Sequence, residues 1–284
     1  KTTAFTRRIY RDTMHDTEPV RGLMDVRWIH GSAGDPPIQV HAHDPHTFIL
    51  RQSKAVHYEA PFLYLFLGDD RALLLDTGAT PAPEEFPLRD TIDALLAPGY
   101  ELVVAHTHAH GDHIAGDPQF ADRPATTVVG PDLAAVQAFF GFADWPTEIT
   151  TFDLGGRVLE ITGIPGHHET SIAVYDPWTG FLLTGDTVYP GRLYVSDFPT
   201  FLASLDHLVT FAADRPVTHV MGCHIEMSRS PGRDYPIGTT YQPDEPPLHM
   251  TVAQLRAVRD AAMSVADRPG IHVFNDFIIY NGAS

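Results

Sequence analysis

The fold can be worked out from the stretch His106-Thr107-His108-Ala109-His110-Gly111-Asp112-His113. The apolar, β-favouring run 101–105 leads directly into it, which predicts a loop at the end of a buried strand. Residues two apart on an extended backbone share a face, so His108 and His110 can point the same way. Gly111 permits a tight bend that turns the last two residues toward the same point. Imidazole and carboxylate donors this close together are a set that suits zinc.

The pattern His108-x-His110-x-Asp112-His113 resembles the signature of the metallo-β-lactamase superfamily, and Thr107 and Gly116 extend the likeness. The later residues that this family requires follow in order, each after an apolar run. They are His167 after the run 158–164, Asp186 at the end of the run 181–183, and His224 after the run 217–221. The resemblance covers residues 48 to 225. It implies an α+β fold, a four-layer αββα sandwich, whereas the element pattern alone predicts only α/β or α+β.

The resemblance also implies how two metal ions are held. One ion is bound by His108, His110 and His167, and the other by Asp112, His113 and His224, with Asp186 bridging both. Asp76 matches an aspartate that lies just below the two ions. Two zinc ions are the expected cofactor, with iron or manganese as alternatives.

The chemistry that follows is hydrolysis by a hydroxide shared between the two cations, since a bound cation lowers the pKa of water toward about 7. Asp112 is predicted to orient that hydroxide by hydrogen bonding. Tyr189 stands three residues after Asp186, a spacing similar to that of the N-acyl-homoserine lactonases, where a tyrosine hydrogen-bonds the substrate carbonyl. Asp112 and Tyr189 are therefore the predicted catalytic residues. The alternative for Tyr189 is an ordinary aromatic residue at the pocket rim.

Other histidines and the one cysteine are predicted to serve in supporting roles. His106 and His168 adjoin the predicted ligands and are expected to be buried, hydrogen-bonded neighbours rather than further ligands. Cys223 is expected to be a small packing residue. The segment His41-Ala42-His43-Asp44-Pro45-His46 imitates the metal motif, but it lacks a preceding apolar strand and contains Pro45. A solvated loop is the prediction there.

The remaining pattern predicts an irregular N-terminal arm, residues 1–47, and a single domain, residues 48–284, because one site needs both halves of the chain. Predicted strands cover 48–56, 62–67, 72–76, 126–129, 149–154, 157–164, 171–175, 181–183, 217–221 and 271–280. Predicted helices cover 84–96, 131–142, 201–211 and 252–265. The segment 226–247 is rich in Pro, Gly and charge, so we expect it to cover the site. Its side chains Arg229, Arg233, Tyr235 and Tyr241 should then border the pocket.

Composition excludes several classes of partner. A formal net charge of −17 argues against nucleic acid and anionic membrane surfaces, which attract clustered Lys and Arg. A small-molecule substrate is expected, and a homodimer is left open. One cysteine fits a reducing compartment, so we expect a cytoplasmic protein, with a removed signal peptide as the alternative.

These observations favour a zinc-dependent hydrolase of a small ester, lactone or thioester. The stretch 107–116 is similar to hydroxyacylglutathione hydrolase, but no lysine follows Lys54 to meet the glutathione carboxylates. The absence of a later lysine also counts against a β-lactamase that binds the substrate carboxylate through lysine. A phosphodiesterase and a persulfide dioxygenase with a single iron remain alternatives, since the dioxygenase shares the motif.

Overall fold

The strands of the molecule form three sheets within residues 25–282, which are the residues that this computed structural model describes. The first sheet has six strands in chain order: β1 (Ile38–Asp44), β2 (Thr47–Gln52), β3 (Phe62–Leu67), β4 (Arg71–Leu75), β5 (Glu101–Ala105) and β6 (Thr126–Val128). The later strands are β7 (Ile149–Asp153), β8 (Val158–Gly163), β9 (Ile172–Asp176), β10 (Phe181–Gly185), β11 (Arg192–Val195), β12 (His219–Gly222), β13 (His249–Met250), β14 (Gly270–Val273) and β15 (Ile278–Asn281). The second sheet runs β13-β12-β10-β9-β8-β7, and a small third sheet runs β11-β15-β14.

The described residues also form five helices and one 3-10 turn. The helices are α1 (Leu88–Leu95), α2 (Gly111–Ile114), α3 (Leu133–Phe140), α4 (Phe198–Ala213) and α5 (Val252–Val265), and the 3-10 turn is at Asp117–Phe120. Asp197 caps α4 by accepting a hydrogen bond from the Thr200 amide, and Thr251 caps α5 in a capping box with Gln254. In the described part of the chain, no helix is both long and apolar enough to cross a membrane.

Strand alternation explains the order of the layers. Successive side chains of a strand point to opposite faces, so β3 sends Tyr64 into the core between the large sheets and Leu65 to the outer face. Helix α1 covers that outer face with Ile92. The outer face of the second sheet is covered in the same way by Leu205 of α4 and Leu255 of α5. The result is the expected αββα sandwich, and it explains why β3 is apolar and buried throughout.

Strand direction places one end of both large sheets at a common edge. β4 and β5 are parallel in the first sheet, and β10 and β12 are parallel in the second. β8 runs the same way as β10, because both are antiparallel to β9. The two sheets share this direction, because residues that follow β5, β8 and β12 (His108, His167 and His224) lie 3.4 to 3.9 Å from Asp186, which follows β10. The carboxyl ends of these four strands therefore meet at one edge of the sandwich.

The structure corrects the sequence prediction at several elements. Residues 38–44, predicted to be irregular, form edge strand β1, in which outward and inward positions alternate; the part of the arm at 1–24 lies outside the described residues. The strand predicted over 271–280 is split into β14 and β15 by a turn. The short strands β11 and β13 had no predicted counterpart. The remaining division into arm and single domain stays a prediction.

Candidate metal centre

Five of the seven predicted ligands follow the carboxyl end of a strand. His108 and His110 follow β5, His167 follows β8, Asp186 follows β10 and His224 follows β12, while Asp112 and His113 lie in the short helix α2. The loop before His167 depends on a glycine. Gly166 has φ 127°, and a Cβ there would lie 2.4 Å from the Cα of Phe201, so the loop can adopt this path only without a side chain.

The first donor group consists of His108, His110 and His167. The Nε2 atom of His108 lies 3.0 Å from Nδ1 of His110 and 3.2 Å from Nε2 of His167. The Nδ1 atom of His110 and the Nε2 atom of His167 are 3.0 Å apart. Zinc–nitrogen bonds of about 2.0–2.1 Å in tetrahedral geometry put ligand nitrogens roughly 3.3 Å apart. The three rings therefore converge at nearly the spacing that one zinc ion requires.

The second donor group consists of Asp112, His113 and His224. Their ligand atoms lie 3.4 to 3.5 Å apart: 3.5 Å from His113 to Asp112, 3.4 Å from His224 to Asp112 and 3.4 Å between the two imidazoles. Together with Asp186 they form a four-residue cluster able to hold a metal ion.

The carboxylate of Asp186 lies between the two groups. Its Oδ2 atom is 3.4 Å from Nε2 of both His113 and His224, and 3.9 Å from Nε2 of both His108 and His167. Its other oxygen, Oδ1, is buried and has no hydrogen-bond partner among the described residues. A buried carboxylate oxygen without a partner is costly, so the donor set and this oxygen both fit metal ions at the site.

Hydrogen bonds on the far side of the rings leave the inward nitrogens free to bind a cation. His167 donates from Nδ1 to the Tyr194 carbonyl over 2.7 Å, and His224 donates from Nδ1 to the Glu59 carbonyl over 3.1 Å. An imidazole in its neutral form carries one N–H, so with Nδ1 as the donor the Nε2 atom of each ring is the nitrogen available to a metal ion.

Asp76 is the central acceptor beneath the ligands. It is fully buried and accepts hydrogen bonds from the backbone amide and hydroxyl of Thr107 over 2.7 and 2.9 Å. It also accepts from Nδ1 of His113 over 3.0 Å and from Sγ of Cys223 over 3.2 Å. Cys223 is thus more than the predicted packing residue, because its thiol donates to the carboxylate that orients His113.

Burial and charge set the protonation of the donors. Burial lowers the pKa of His108 and of His167, so both rings are neutral at pH 7 and able to bind a metal. Burial raises the pKa of Asp186, but the imidazoles of His224 and His113 outweigh it, so its pKa lies well below the usual value. The first donor group therefore offers neutral imidazoles. Burial also lowers the pKa of His113 and of His224, but the carboxylate of Asp186 outweighs it, so the pKa of both lies well above the usual value. A metal ion bound by the second group would displace a proton there.

Comparisons with known proteins show the family and the fold. The family profile of the metallo-beta-lactamase superfamily matches residues 60–239. The chain belongs to this superfamily. Solved structures show the fold: a DIM-1 metallo-beta-lactamase superposes with a TM-score of 0.56 at 15% identity, covering 81% of this chain and 98% of that one.

Curated relatives carry the name of a superfamily hydrolase. The hydroxyacylglutathione hydrolase of Ruegeria pomeroyi is 30% identical over 208 residues, 68% of this chain and 75% of the relative. That of Rhizobium meliloti is 29% identical over 170 residues, 55% of this chain and 63% of the relative, so this match spans less than two thirds of the relative's length. The family, the relatives and the donor cluster place the chain among the metal-dependent hydrolases of the metallo-beta-lactamase superfamily.

The predicted neighbours of the ligands occupy hydrogen-bonded positions. His106 is buried, and its Nε2 lies 2.8 Å from Asp117. His168 is half-buried, hydrogen-bonds Thr170 over 2.9 Å and packs its ring 4.7 Å from that of His110. Neither belongs to a cluster of metal donors among the described residues.

The side chain of Tyr189 is buried and its hydroxyl is already hydrogen-bonded, which differs from the sequence prediction. Its side chain is 2% exposed, and its hydroxyl donates to the Arg192 carbonyl, with Glu226 3.3 Å away. A phenol has one proton to donate, so this hydroxyl has none left for a substrate oxyanion. Tyr189 packs its ring 5.7 Å from that of His224 and supports the centre from behind. It is neither the predicted oxyanion donor nor a rim aromatic.

Replacing Tyr189 by phenylalanine should therefore cost stability more than catalysis. We expect the free energy of unfolding to fall by about 1–2 kcal/mol, because the Arg192 carbonyl loses its buried donor. We expect kcat to fall much less than the ~100-fold that follows the loss of an oxyanion donor. Urea unfolding and steady-state kinetics measure both quantities. A 100-fold loss of kcat at unchanged stability would restore the lactonase-type role.

The middle portion of the 226–247 segment lies beside the centre, in a pocket that none of the seven predicted ligands lines. Pro236, Ile237, Gly238 and Thr239 line a small pocket whose other wall includes Glu59, the residue whose carbonyl accepts from His224. The four side chains predicted to border the pocket, Arg229, Arg233, Tyr235 and Tyr241, do not line it.

A buried ion pair ties the end of this segment to the first sheet. Glu245 binds the guanidinium of Arg51 through two contacts of 2.5 and 2.6 Å, and the Arg51 side chain is fully buried. The first part of the segment is held as well, because Arg192 contacts Glu226 and Asp234, each over 2.8 Å. The segment is exposed between these anchors, near Ile237, which is 66% accessible.

Proposed function

We propose that the protein is a dinuclear zinc hydrolase that cleaves a small, uncharged ester, lactone or thioester. The observation that carries the proposal is the position of Asp186, whose Oδ2 atom lies within 3.4 to 3.9 Å of imidazoles from both donor groups. A carboxylate between two converging donor sets is the arrangement expected of a bridging ligand.

The residues present fit two zinc ions in number and chemistry. His108, His110 and His167 would hold one ion, and Asp112, His113 and His224 the other. Two bound zinc ions supply Lewis acidity for the scissile carbonyl and a water of lowered pKa as the nucleophile.

Asp112 is the residue suited to orient that nucleophile. Its side chain is partly accessible, whereas Asp186 is buried. Burial raises the pKa of Asp112, but the imidazoles of His113 and His224 outweigh this, so its pKa lies below the usual value. Asp112 therefore stays ionised at neutral pH and can accept a hydrogen bond from a water at the centre.

Charge in the small pocket beside the centre favours an uncharged substrate. Arg192 lines the pocket, but its guanidinium contacts Glu226 and Asp234, each over 2.8 Å. Lys54 also lines it, and its ammonium donates to the Tyr58 carbonyl over 3.0 Å. Both cations of the pocket wall are thus already engaged. A substrate with glutathione's two carboxylates would have to displace these contacts, so a small lactone, ester or thioester fits better.

A substrate panel at defined metal content tests the proposal. Protein purified without added metal is analysed for its elements and then assayed with lactones, simple esters, glutathione thioesters, β-lactams, phosphodiesters and a persulfide. We expect about two zinc ions per chain and the highest kcat/KM on an uncharged ester, lactone or thioester. One iron per chain with persulfide oxidation would replace the proposal with the dioxygenase alternative. Highest activity on phosphodiesters or β-lactams would leave the centre in place but overturn the substrate class.

A further inference from the structure

A buried lysine lines the small pocket beside the metal centre, and the chemistry described so far does not use it. Lys54 is 2% exposed, and Lys1 is the only other lysine of the sequence. The pocket is a cavity of about 40 Å³, which has room for one small group. Lys54 is therefore a candidate to contact one group of the substrate.

The pocket adjoins both donor groups of the metal centre. Glu59 and Tyr194 line it, and their backbone carbonyls hold two of the predicted ligands. The Glu59 carbonyl accepts a hydrogen bond from His224 over 3.1 Å, and the Tyr194 carbonyl accepts one from His167 over 2.7 Å. His224 belongs to one donor group and His167 to the other. A substrate held at the two donor groups therefore has this pocket as its neighbour.

Local hydrogen bonds and close packing fix the chain around Lys54. The residue follows the end of β2, and the Ser53 carbonyl accepts hydrogen bonds from the amides of Val56 and His57 over 2.9 and 3.1 Å. Gly31 packs against the side chain, because a Cβ at Gly31 would lie 3.3 Å from the Cβ of Lys54. The backbone and the base of the lysine side chain are therefore held in one position.

The ammonium group of Lys54 has more donors than the protein satisfies. One N–H donates to the Tyr58 carbonyl over 3.0 Å, and the group makes no other hydrogen bond and no ion pair with residues 25–282. An ammonium carries three N–H groups, so two of them remain. A buried donor without an acceptor costs free energy. The two remaining N–H groups therefore favour an acceptor inside the pocket.

Opposite charges on the pocket wall balance one another. Arg192 and Glu226 pair over 2.8 Å, which leaves Lys54 and Glu59 as the other cation and anion of the wall. Burial lowers the pKa of Lys54 to about 8, and the nearby Arg51 adds to this effect. Lys54 is thus mainly protonated at pH 7. Because the wall as a whole carries no net charge, an uncharged oxygen is the acceptor that fits.

We propose that Lys54 is a specificity-determining residue that donates a hydrogen bond to an uncharged oxygen of the substrate, a carbonyl or hydroxyl group away from the scissile bond. The inference rests on the proposed function and adds one feature to its substrate, an acceptor oxygen that does not react. Pro236 and Ile237 line the same pocket, so the atoms beside this oxygen contact apolar side chains. A site with buried donors discriminates against an analogue without the oxygen, because those donors would stay unpaired.

Phenyl esters with and without such an oxygen test the role of Lys54. Phenyl pentanoate is compared with analogues that carry a ketone at different positions of the acyl chain, in the wild type and in Lys54→Met. The measured quantity is the kcat/KM of each ketone ester divided by that of the plain ester. For at least one ketone position, we expect this ratio to be about 10- to 100-fold larger in the wild type. The intrinsic reactivities of the esters cancel, because both enzymes act on the same pair.

Two further variants separate hydrogen bonding from charge. Lys54→Gln keeps N–H donors without the charge and should retain part of the preference. Arg229→Met removes a positive charge outside the pocket, on a side chain that is 65% exposed, and should leave the ratio unchanged. Equal ratios in the wild type and Lys54→Met at every ketone position would overturn the inference. Zinc content and wild-type turnover of the plain ester test the proposed function separately.

A spectrum of the wild type tests the contact without any variant. Selective ¹⁵N labelling of lysine gives side-chain signals from Lys1 and Lys54 alone. The amides of the same acyl chains resist hydrolysis and serve as probes. The Lys54 signal should shift with the ketone-bearing amide and much less with pentanamide. Equal shifts with both amides, or no shift with either, would contradict a hydrogen bond from Lys54 to the added oxygen.

Discussion

Replacing Asp186 by asparagine is expected to abolish activity and to release at least one metal ion per chain. The change removes the negative charge of the carboxylate that lies between the two donor groups. His113 and His224 are on one side of this carboxylate, and His108 and His167 are on the other. A neutral amide binds a divalent cation far more weakly than a carboxylate does. We expect kcat/KM to fall by at least ~1000-fold, the upper range for loss of one electrostatic group at a reacting centre.

Elemental analysis and steady-state kinetics on the same preparation measure this effect. Asp206→Asn is the matched control, because Asp206 is an exposed aspartate on α4 that pairs with Arg259. It changes the net charge equally and should keep both the metal content and the turnover. An Asp186→Asn enzyme with two metal ions and normal turnover would show that this carboxylate bridges nothing.

Replacing Asp76 by alanine is expected to give the largest loss of stability. Thr107, His113 and Cys223 would be left with four buried donors and no acceptor. Asp76 also has φ 71°, a left-handed conformation that alanine adopts with strain. Removing one member of such a buried network costs about 3–5 kcal/mol. Urea unfolding in the presence of a chelator measures this loss without any contribution from bound metal.

The same substitution should weaken only one of the two donor groups. His113 loses the hydrogen bond that orients it, so metal affinity at the Asp112–His113–His224 group should fall by about 10- to 100-fold. The three-histidine group does not contain His113 and should keep its metal ion.

Asp76→Asn is the control that separates strain from hydrogen bonding. Asparagine tolerates positive φ and keeps one acceptor oxygen, so it should lose clearly less stability than alanine. Equal stability of Asp76→Ala and wild type would contradict the network described for Asp76.

The clustering of the donor residues could be predicted from sequence because most of them follow an apolar run that becomes a buried strand. His167, Asp186 and His224 stand directly after such runs, and the carboxyl ends of those strands meet at one edge. The partners that orient these ligands could not be predicted in the same way. Tyr194 and Glu59 contribute backbone carbonyls, which every residue has.

Tyr189 shows why spacing along the chain does not fix the direction of a side chain. Its distance from Asp186 in sequence correctly predicts that it lies near the centre. Its ring, however, packs over Gly191, where a Cβ would lie 2.2 Å from a ring carbon. That packing sends the hydroxyl to the Arg192 carbonyl, away from the substrate side.

β1 was missed for a different reason. Ile38, Val40 and Ala42 alternate with polar residues, which is the period-two pattern of an edge strand. The histidines between them resemble a loop motif, although in the structure the ring of His43 contacts that of Phe181 in the second sheet. Contacts between sheets depend on how the layers stack, which local sequence does not encode.

The central claim is that two metal ions lie on either side of Asp186, and anomalous diffraction tests it most directly. Crystals of protein purified without added metal would be measured on both sides of the zinc absorption edge. We expect two zinc peaks, one among His108, His110 and His167 and the other among Asp112, His113 and His224. A single peak that responds at the iron edge, or zinc in only one of these groups, would contradict the account.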